Sequence, residues 1–315
     1  MKIKKLVAAI AMVCIATTAF AASKSNKKSK AQKNETVITD MIGRDVTVIP
    51  GSYKRVVCIG AGALRMYSYI GSVDLLCGVE DIDNTTLAKR PKMFDTVARP
   101  YVLAYGDKFA ELDSCGVGGP NAQTAEAEKI LMCNPDIVIS EYEDKEKEDA
   151  LQAQLGIPVI TLKSGKDGVF DNNFKNSMIL LGKIFGEEKK ANKLNAFIDA
   201  QVKEIKNRTA KVTSKPKVYI CGLGNWGTTN HLMTAQNYIS FDICNVDNVV
   251  TDLAKNGIQA IEKEKFIDLG KDMEKGMESE GKSLLSHSIY LHIILFLPLL
   301  KLSLCRLECN TICPM

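Results

Sequence analysis

The chain has 315 residues, ten of them cysteine, and a formal net charge of +4. The first 33 residues contain eight lysines and no acidic residue, so the remainder has a net charge of −4 (+4 less 8). A mildly acidic body argues against a nucleic-acid partner, because nucleic-acid-binding domains are usually basic. A chain of this length can bury a core of its own, so the cysteines do not indicate a small disulfide scaffold.

The N-terminus has the three parts of a secretory signal peptide. Three lysines stand within the first five residues, and an apolar stretch fills residues 6–20. Ala19-Phe20-Ala21 is a small-x-small pattern, which predicts cleavage after Ala21, a signal peptide over residues 1–21 and a periplasmic protein. The alternative is an uncleaved membrane anchor, for which the apolar stretch is short. Residues 22–34 are polar and lysine-rich, which predicts a disordered spacer.

Residues 35–170 are predicted to form an N-terminal α/β lobe. Residues 36–49 alternate in polarity around Gly43, which indicates a β-hairpin. Apolar strand patterns and helical patterns then alternate, with one long loop after the second strand. This order predicts a parallel sheet covered on both faces. The predicted strands are 55–60, 73–80, 135–142 and 157–163, and the predicted helices are 63–71, 124–134 and 145–156.

The stretch RVVCIGAGALR over residues 55–65 looks like the start of a dinucleotide-binding fold. Glu80-Asp81 even lies near the distance expected of a ribose-binding carboxylate. However, the sixth position of the fingerprint is Arg65, where close packing of helix on strand requires glycine or alanine. Nicotinamide and flavin nucleotides are also not maintained outside the cytoplasm. The stretch therefore indicates a tight turn from strand to helix.

Residues 171–211 are predicted to be connecting helices, interrupted only around Gly182 and Gly186. The part after Gly186 has about two dozen residues and would span ~36 Å at 1.5 Å per residue, which suits a spine between two lobes. A strand pattern over 215–224 follows, so residues 212–273 are predicted to begin a second α/β lobe.

In their order and spacing these pieces resemble the substrate-binding proteins of ABC importers, of the helix-linked class that serves iron–siderophore, haem and cobalamin uptake. The resemblance runs from about Ile38 to Met273 and implies two Rossmann-like lobes with mostly parallel sheets, joined by a long α-helix. It also implies capture of a small-molecule iron complex between the lobes, delivery to an inner-membrane ABC permease and a monomeric protein. The matching pieces are ITDMIGRDVTVI, KRVVCIGAGALRMYSYIG, VDLLCGVED, ILMCNPDIVISEY and KPKVYICGLGNWG.

Residues 274–315 break the resemblance. The family would supply another strand and closing helices there, but this segment is apolar and contains three of the ten cysteines and two of the three histidines. We interpret it as a frameshifted or otherwise aberrant end, which leaves the second lobe incomplete.

The candidate ligand-binding residues follow the carboxyl ends of the predicted strands, where ligands bind in such folds. Family members often have a glutamate near the position of Arg65 that docks on the transporter. Because arginine stands there in this chain, three alternatives are open. Another carboxylate docks on the transporter, or Arg65 contacts the ligand, or Arg65 is an ordinary surface residue. Trp226 is expected to face the ligand, and the alternative is that it anchors the core. The ten candidates are Arg65, then Arg99, Tyr101 and Tyr105 in the long loop, then Glu141, Tyr142, Trp226, Thr229, Asn230 and His231.

A ferric siderophore fits these residue types best. It surrounds its iron with its own oxygen atoms, so the protein needs aromatic faces and arginines but no metal ligands of its own. Only three histidines are present, and we expect no metal site and no cofactor. Haem and cobalamin remain open as ligands. The rivals are an exported α/β enzyme, for which no nucleophile elbow is present, and a chelatase-like relative, for which paired Cys/His spacing is missing.

Overall fold

The computed structural model describes residues 35–95, 98–119, 122, 124–224, 229–253 and 257–279, the last eight of these without side chains. The predicted signal peptide and spacer lie outside these residues, as does most of the apolar tail.

The chain begins with the predicted β-hairpin. Strands β1 (Thr36–Thr39) and β2 (Asp45–Val48) pair antiparallel, with Thr36 opposite Val48. Alternate residues of β2 are buried because successive side chains of a strand point to opposite faces.

A parallel five-stranded sheet follows, in the order β5-β4-β3-β6-β7. Every residue of β3, β6 and β7 is buried, since helices cover both faces of the sheet. The chain builds the sheet outward from β3 in one direction and then from β6 in the other. The strands are β3 (Val56–Ile59), β4 (Leu76–Glu80), β5 (Asp113–Gly116), β6 (Ile137–Ser140) and β7 (Val159–Thr161).

Two apolar cores lie on the two faces. One contains Tyr67 and Phe174 and joins the hairpin, the first helix and the later long helices. The other contains Ile130 and Leu151 and lies under the two short helices between β5 and β7. The helices around the sheet are α1 (Ala63–Ile70), α2 (Pro100–Ala110), α3 (Ala127–Met132) and α4 (Lys145–Leu155).

The predicted long loop is wrong over residues 100–116, which form helix α2 and the edge strand β5. Pro100 stands at the first position of the helix, where its missing N–H costs nothing. The buried Phe109 anchors the helix on the core. Strand β5 is short and begins with the polar pair Asp113-Ser114, so it lacks the apolar run by which the other strands were recognised.

Two long helices follow the sheet, α5 (Asn172–Phe185) and α6 (Glu188–Thr209). The predicted interruption at Gly186 is confirmed, with a left-handed φ of 72° that ends α5. The interruption predicted at Gly182 is wrong. Gly182 lies inside α5, and a Cβ there would stand 2.9 Å from the Cβ of Ala191, so glycine permits α6 to pack closely on α5.

After α6 the described residues form four short strands and two helices. Strands β8 and β10 pair parallel, and β9 and β11 pair antiparallel. The α/β class is thus confirmed, with the parallel sheet concentrated in residues 56–161. No described helix has the length and apolar composition needed to cross a bilayer. The remaining elements are β8 (Lys217–Val218), β9 (Met233–Thr234), α7 (Ile239–Cys244), β10 (Asp247–Asn248), β11 (Gln259–Ala260) and α8 (Lys263–Ser279).

Candidate functional site

The order of the sheet creates a switch point between β3 and β6. The chain leaves β3 toward β4 on one side and leaves β6 toward β7 on the other, so the segments after these two strands diverge. Parallel α/β sheets bind ligands in the crevice that such a divergence opens beyond the carboxyl ends of the strands. Gly60 follows β3 and Glu141 follows β6, and the Glu141 N–H donates to the Ile59 carbonyl at 3.0 Å.

The turn after β3 depends on glycine. Gly60 and Gly62 have φ values of 87° and 110°, which side chains disfavour. A Cβ on Gly62 would lie 2.3 Å from Oε2 of Glu141, so the turn leaves no space between itself and this carboxylate. Helix α1 begins directly after Gly62 and places Arg65 in its first turn.

Only one of the two carboxylate oxygens of Glu141 has a hydrogen-bond partner among the described residues. Its Oε1 accepts a hydrogen bond of 3.0 Å from the Ser164 N–H, which follows strand β7. Its Oε2 is buried and has no hydrogen-bond partner among the described residues. Burial raises the pKa of Glu141, while the Ser164 hydrogen bond and the charge of Arg65 act in the opposite direction. The sequence-based candidates Arg65 and Glu141 are therefore electrostatic partners beside one turn.

Glu80 completes this edge and was not among the candidates. It ends β4, is only 6% exposed, and accepts a 3.1 Å hydrogen bond from the Gly60 N–H through Oε1. Burial raises the pKa of Glu80 to about 7, although the Gly60 hydrogen bond lowers it, and Asp83, Asp81 and Glu126 raise it further. Its position as the acidic last residue of an apolar strand was the available signal.

Tyr101 and Tyr105 lie on helix α2 and not in the predicted loop, whereas Arg99 is the last residue of the loop before this helix. Arg99 forms an ion pair with the buried Asp83 and also donates to the Ile82 carbonyl at 3.0 Å. The Tyr101 hydroxyl donates to the same Asp83 oxygen at 2.8 Å. Arg99 and Tyr101 thus fasten the segment after β4 to α2. Tyr105 packs against the first core.

Tyr142 follows Glu141 directly and is half-buried. Its N–H donates to the Ser140 hydroxyl at 3.1 Å, and its ring packs against the second core. Burial raises the pKa of its phenol. The structure therefore brings together four polar residues at the carboxyl edge of the sheet, namely Arg65, Glu80, Glu141 and Tyr142.

The candidates after β8 lie on one exposed turn. Thr229 donates its N–H to the Gly222 carbonyl at 3.0 Å, and Asn230 accepts from the Leu232 N–H at 2.9 Å. The His231 ring packs against Phe266, with the ring centroids 5.0 Å apart. Trp226 lies outside the described residues.

A side chain at position 62 is expected to disturb the site before any ligand is present. Gly62→Ala should lower the free energy of unfolding by about 2 kcal/mol, because it combines an unfavourable φ with a clash against Glu141. The matched control is Gly51→Ala, where φ is 70° but no atom lies within 4 Å of the added Cβ. Urea unfolding of both variants measures the difference. Equal losses of stability would contradict the close contact at Gly62.

No group of three or more His, Cys, Asp or Glu side chains that could hold a metal ion occurs among the described residues. This edge of the sheet presents carboxylate oxygens, one arginine and one phenol. Such groups can bind the polar surface of a small molecule by hydrogen bonds and charge.

Comparison with known proteins agrees with the fold. An iron-uptake system-binding protein of Bacillus subtilis is 30% identical over 121 residues, which are 36% of this chain and 35% of that protein. A periplasmic solute binding protein of Veillonella parvula has a TM-score of 0.56 at 19% identity, with 75% of this chain and 66% of that chain covered. A petrobactin-binding protein of Bacillus subtilis has a TM-score of 0.50 at 19% identity, with 75% of each chain covered.

These matches differ in how much they cover. The matched segment is about a third of the length of the iron-uptake relative and just under two thirds of the Veillonella structure. The structural matches show a shared fold and no more, because their identities are low. The family model for periplasmic binding proteins, however, matches residues 56–271, which is more than half of the chain. The chain therefore belongs to the periplasmic binding protein family.

Proposed function

We propose that this protein is an exported solute-binding protein that captures a ferric siderophore and delivers it to an inner-membrane ABC permease. The observation that carries the proposal is the set of polar side chains at the switch point of the sheet, the place where ligands bind in such folds. There Gly60 and Gly62 bring the backbone close to Glu141, and the buried Oε2 of Glu141 lacks a partner among the described residues. A buried acceptor without a donor is unfavourable, so a ligand that displaces the turn and supplies a donor to Oε2 would gain this hydrogen bond.

The proposal that the ligand contains iron rests on the names of similar proteins. The relative that is 30% identical over part of its length is an iron-uptake system-binding protein, and one similar structure is a petrobactin-binding protein. A siderophore supplies the oxygen atoms around its iron, which agrees with an edge rich in hydrogen-bonding groups. Haem and cobalamin are the alternatives within the same family of proteins.

The location and the partner follow from the same proposal. A signal peptide over residues 1–21 would direct the chain to the periplasm, where binding proteins meet their permeases. N-terminal sequencing of the protein recovered from the periplasm of an expressing cell checks this step, with Ala22 expected as the first residue.

Tryptophan fluorescence tests ligand capture, because the chain has a single tryptophan. The mature protein is titrated with ferric tris-catecholate, tris-hydroxamate and carboxylate siderophores, haemin and cobalamin. We expect one ferric siderophore class to quench the signal saturably, with a Kd of about 1 µM or lower. Absence of binding by every compound at roughly 100 µM, in a protein that unfolds cooperatively, would overturn the proposal.

Two neighbouring glutamates provide a matched pair of variants for the same titration. Glu141→Gln should weaken binding by about tenfold, since an amide cannot match the charge of the carboxylate toward a ligand donor. Glu143→Gln removes an exposed carboxylate that pairs with Lys163 at 3.0 Å, and it should change the Kd less than about twofold. Equal effects would show that Glu141 does not contact the ligand.

A further inference from the structure

A run of basic side chains continues from the last turns of helix α6 into the segment that joins this helix to strand β8. Residues 203–217 contain six basic residues and one acidic residue, which gives a net charge of +5. Residues 35–279 as a whole sum to −5, so those outside this run carry −10 (−5 less 5). We call the run the basic strip, and its members are Lys203, Lys206, Arg208, Lys211, Lys215 and Lys217.

The basic strip is exposed to solvent along its whole length and is mostly unpaired. Arg208 pairs with Glu204 at 2.8 Å, and Lys215 lies 4.0 Å from Asp247. A concentration of charge that the protein does not neutralise creates a positive potential, which attracts a negatively charged partner. The four lysines that form no ion pair among the described residues are Lys203, Lys206, Lys211 and Lys217.

Helix α6 itself explains only part of this charge. Basic residues in the last turn of a helix stabilise its dipole, and Lys206 and Arg208 stand there. The effect of the dipole falls off beyond the last turn, and α6 ends at Thr209. The dipole therefore does not account for the lysines at 211, 215 and 217.

The chemistry of the basic strip suits an extended layer of negative charge better than a single anion. Five of its six basic residues are lysines, which act as point charges and need no fixed hydrogen-bond geometry. They are spread over a helix end and an extended segment, so no two of the unpaired lysines are adjacent in the chain. Val212 is 43% exposed among them and adds an apolar contact. Anionic lipid headgroups form such a layer, and lysines near it gain affinity without specific contacts.

We propose that the basic strip binds the surface of an anionic lipid bilayer and keeps the exported protein beside the membrane that holds its permease. Each lysine close to such a surface strengthens binding by about fivefold. The attraction acts over about one Debye length, roughly 8 Å at physiological ionic strength, so it is reversible and weakened by salt. The inference uses the proposed export but does not depend on which ligand is captured.

Co-sedimentation with lipid vesicles tests the proposal on the mature protein. We expect binding to vesicles of phosphatidylcholine mixed with phosphatidylglycerol, and no binding to phosphatidylcholine alone or in about 0.5 M NaCl. A triple variant, Lys203→Gln with Lys206→Gln and Lys211→Gln, should weaken binding to the mixed vesicles by at least about tenfold. These substitutions lie on the surface, where they change stability little.

The matched control removes the same charge from another part of the surface. It combines Lys129→Gln, Lys145→Gln and Lys147→Gln, whose lysines pair with carboxylates at 2.8, 2.9 and 3.4 Å. We expect it to weaken binding by less than about threefold. Both triple variants keep the five lysines of residues 22–34, so any contribution of those lysines is the same. Equal weakening by the two variants would show that only net charge matters, and the basic strip would lose its role.

A footprint on the wild-type protein needs no variant. Lysines are acetylated in the presence of each kind of vesicle and quantified by mass spectrometry. Lys203, Lys206 and Lys211 should react at least about threefold more slowly on phosphatidylglycerol vesicles, while Lys145 and Lys147 should be unaffected. Uniform protection of all lysines, or protection by soluble polyphosphate without protection by vesicles, would overturn the proposal.

Discussion

Arg44→Met is expected to lower the free energy of unfolding by about 3 kcal/mol, because it removes a buried charge and leaves the carboxylate of Asp40 unpaired. The two side chains are 1% and 0% exposed and form an ion pair of 2.8 Å. Breaking a buried pair from one side costs about 3–5 kcal/mol in general. The lower value applies here since Asp40 keeps the N–H groups of Ile42, Thr161 and residue 44 itself as donors.

Arg44 also connects the hairpin to the far edge of the sheet. Its guanidinium donates to the Val159 carbonyl, and the Met41 N–H donates to the Thr161 carbonyl at 3.1 Å. The hairpin thereby satisfies backbone groups of β7, which would otherwise form an open sheet edge. Loss of Arg44 affects both elements at once.

Urea unfolding followed by circular dichroism measures the change. Asp149→Asn is the matched control, because Asp149 pairs with the same arginine at 3.4 Å but is 49% exposed. It should cost less than about 1 kcal/mol. If Arg44→Met and Asp149→Asn destabilised the protein equally, the buried pair would not be the main support of the hairpin.

Glu80→Gln is expected to stabilise the protein at pH 8 by up to about 3 kcal/mol and to leave stability unchanged near pH 4. The folded-state pKa of Glu80 is about 7, against 4.5 in the unfolded chain. Between these values the folded state keeps a proton that the unfolded state has lost, so the stability of the wild type falls as the pH rises from about 4.5 to 7. Glutamine remains neutral and still accepts the Gly60 hydrogen bond.

Thermal unfolding of both proteins from pH 4 to pH 8 tests this. The two curves should separate as the pH rises and run parallel above about pH 7. Glu126→Gln serves as the control of opposite sign, because the pKa of Glu126 is lowered by Lys129 and the Val117 N–H. That variant should lose a little stability above pH 4.5. Parallel curves for wild type and Glu80→Gln throughout would contradict a buried, neutral Glu80.

Most strands of the sheet could be predicted because their own residues form apolar runs. Residues 56–59 and 137–140 are continuous apolar runs, and such runs indicate a strand buried on both faces. Strand β5 gives no such signal, because its residues do not form an apolar run. Its last two residues are buried by packing against β4 and α3. Helix α2 begins with Pro100 and contains Gly106, and both residues also mark loops.

The site was only partly predictable. Glu141 and Arg65 were expected at this edge of the sheet because they stand at a strand end and a helix start, and the structure places them near each other. Arg99 and Tyr101 were chosen because a long loop was expected to hold them, but both contact Asp83, which lies 16 and 18 residues earlier. The sequence alone cannot reveal that both side chains already donate hydrogen bonds to the buried carboxylate of Asp83.

The contact between Asp40 and β7 can form only after the whole five-stranded sheet has been synthesised. Asp40 and Thr161 are 121 residues apart, and their hydrogen bond joins the first hairpin to the last strand of the sheet. A ribosome that adds roughly 5–20 residues per second needs about 6–24 s to make that interval. During this time the hairpin can pack on β3 and α1, with which it shares the first core, but its hydrogen bonds to β7 remain unformed. A fold whose first and last elements must meet is completed late, which would favour the proposed export of a chain that has not yet folded.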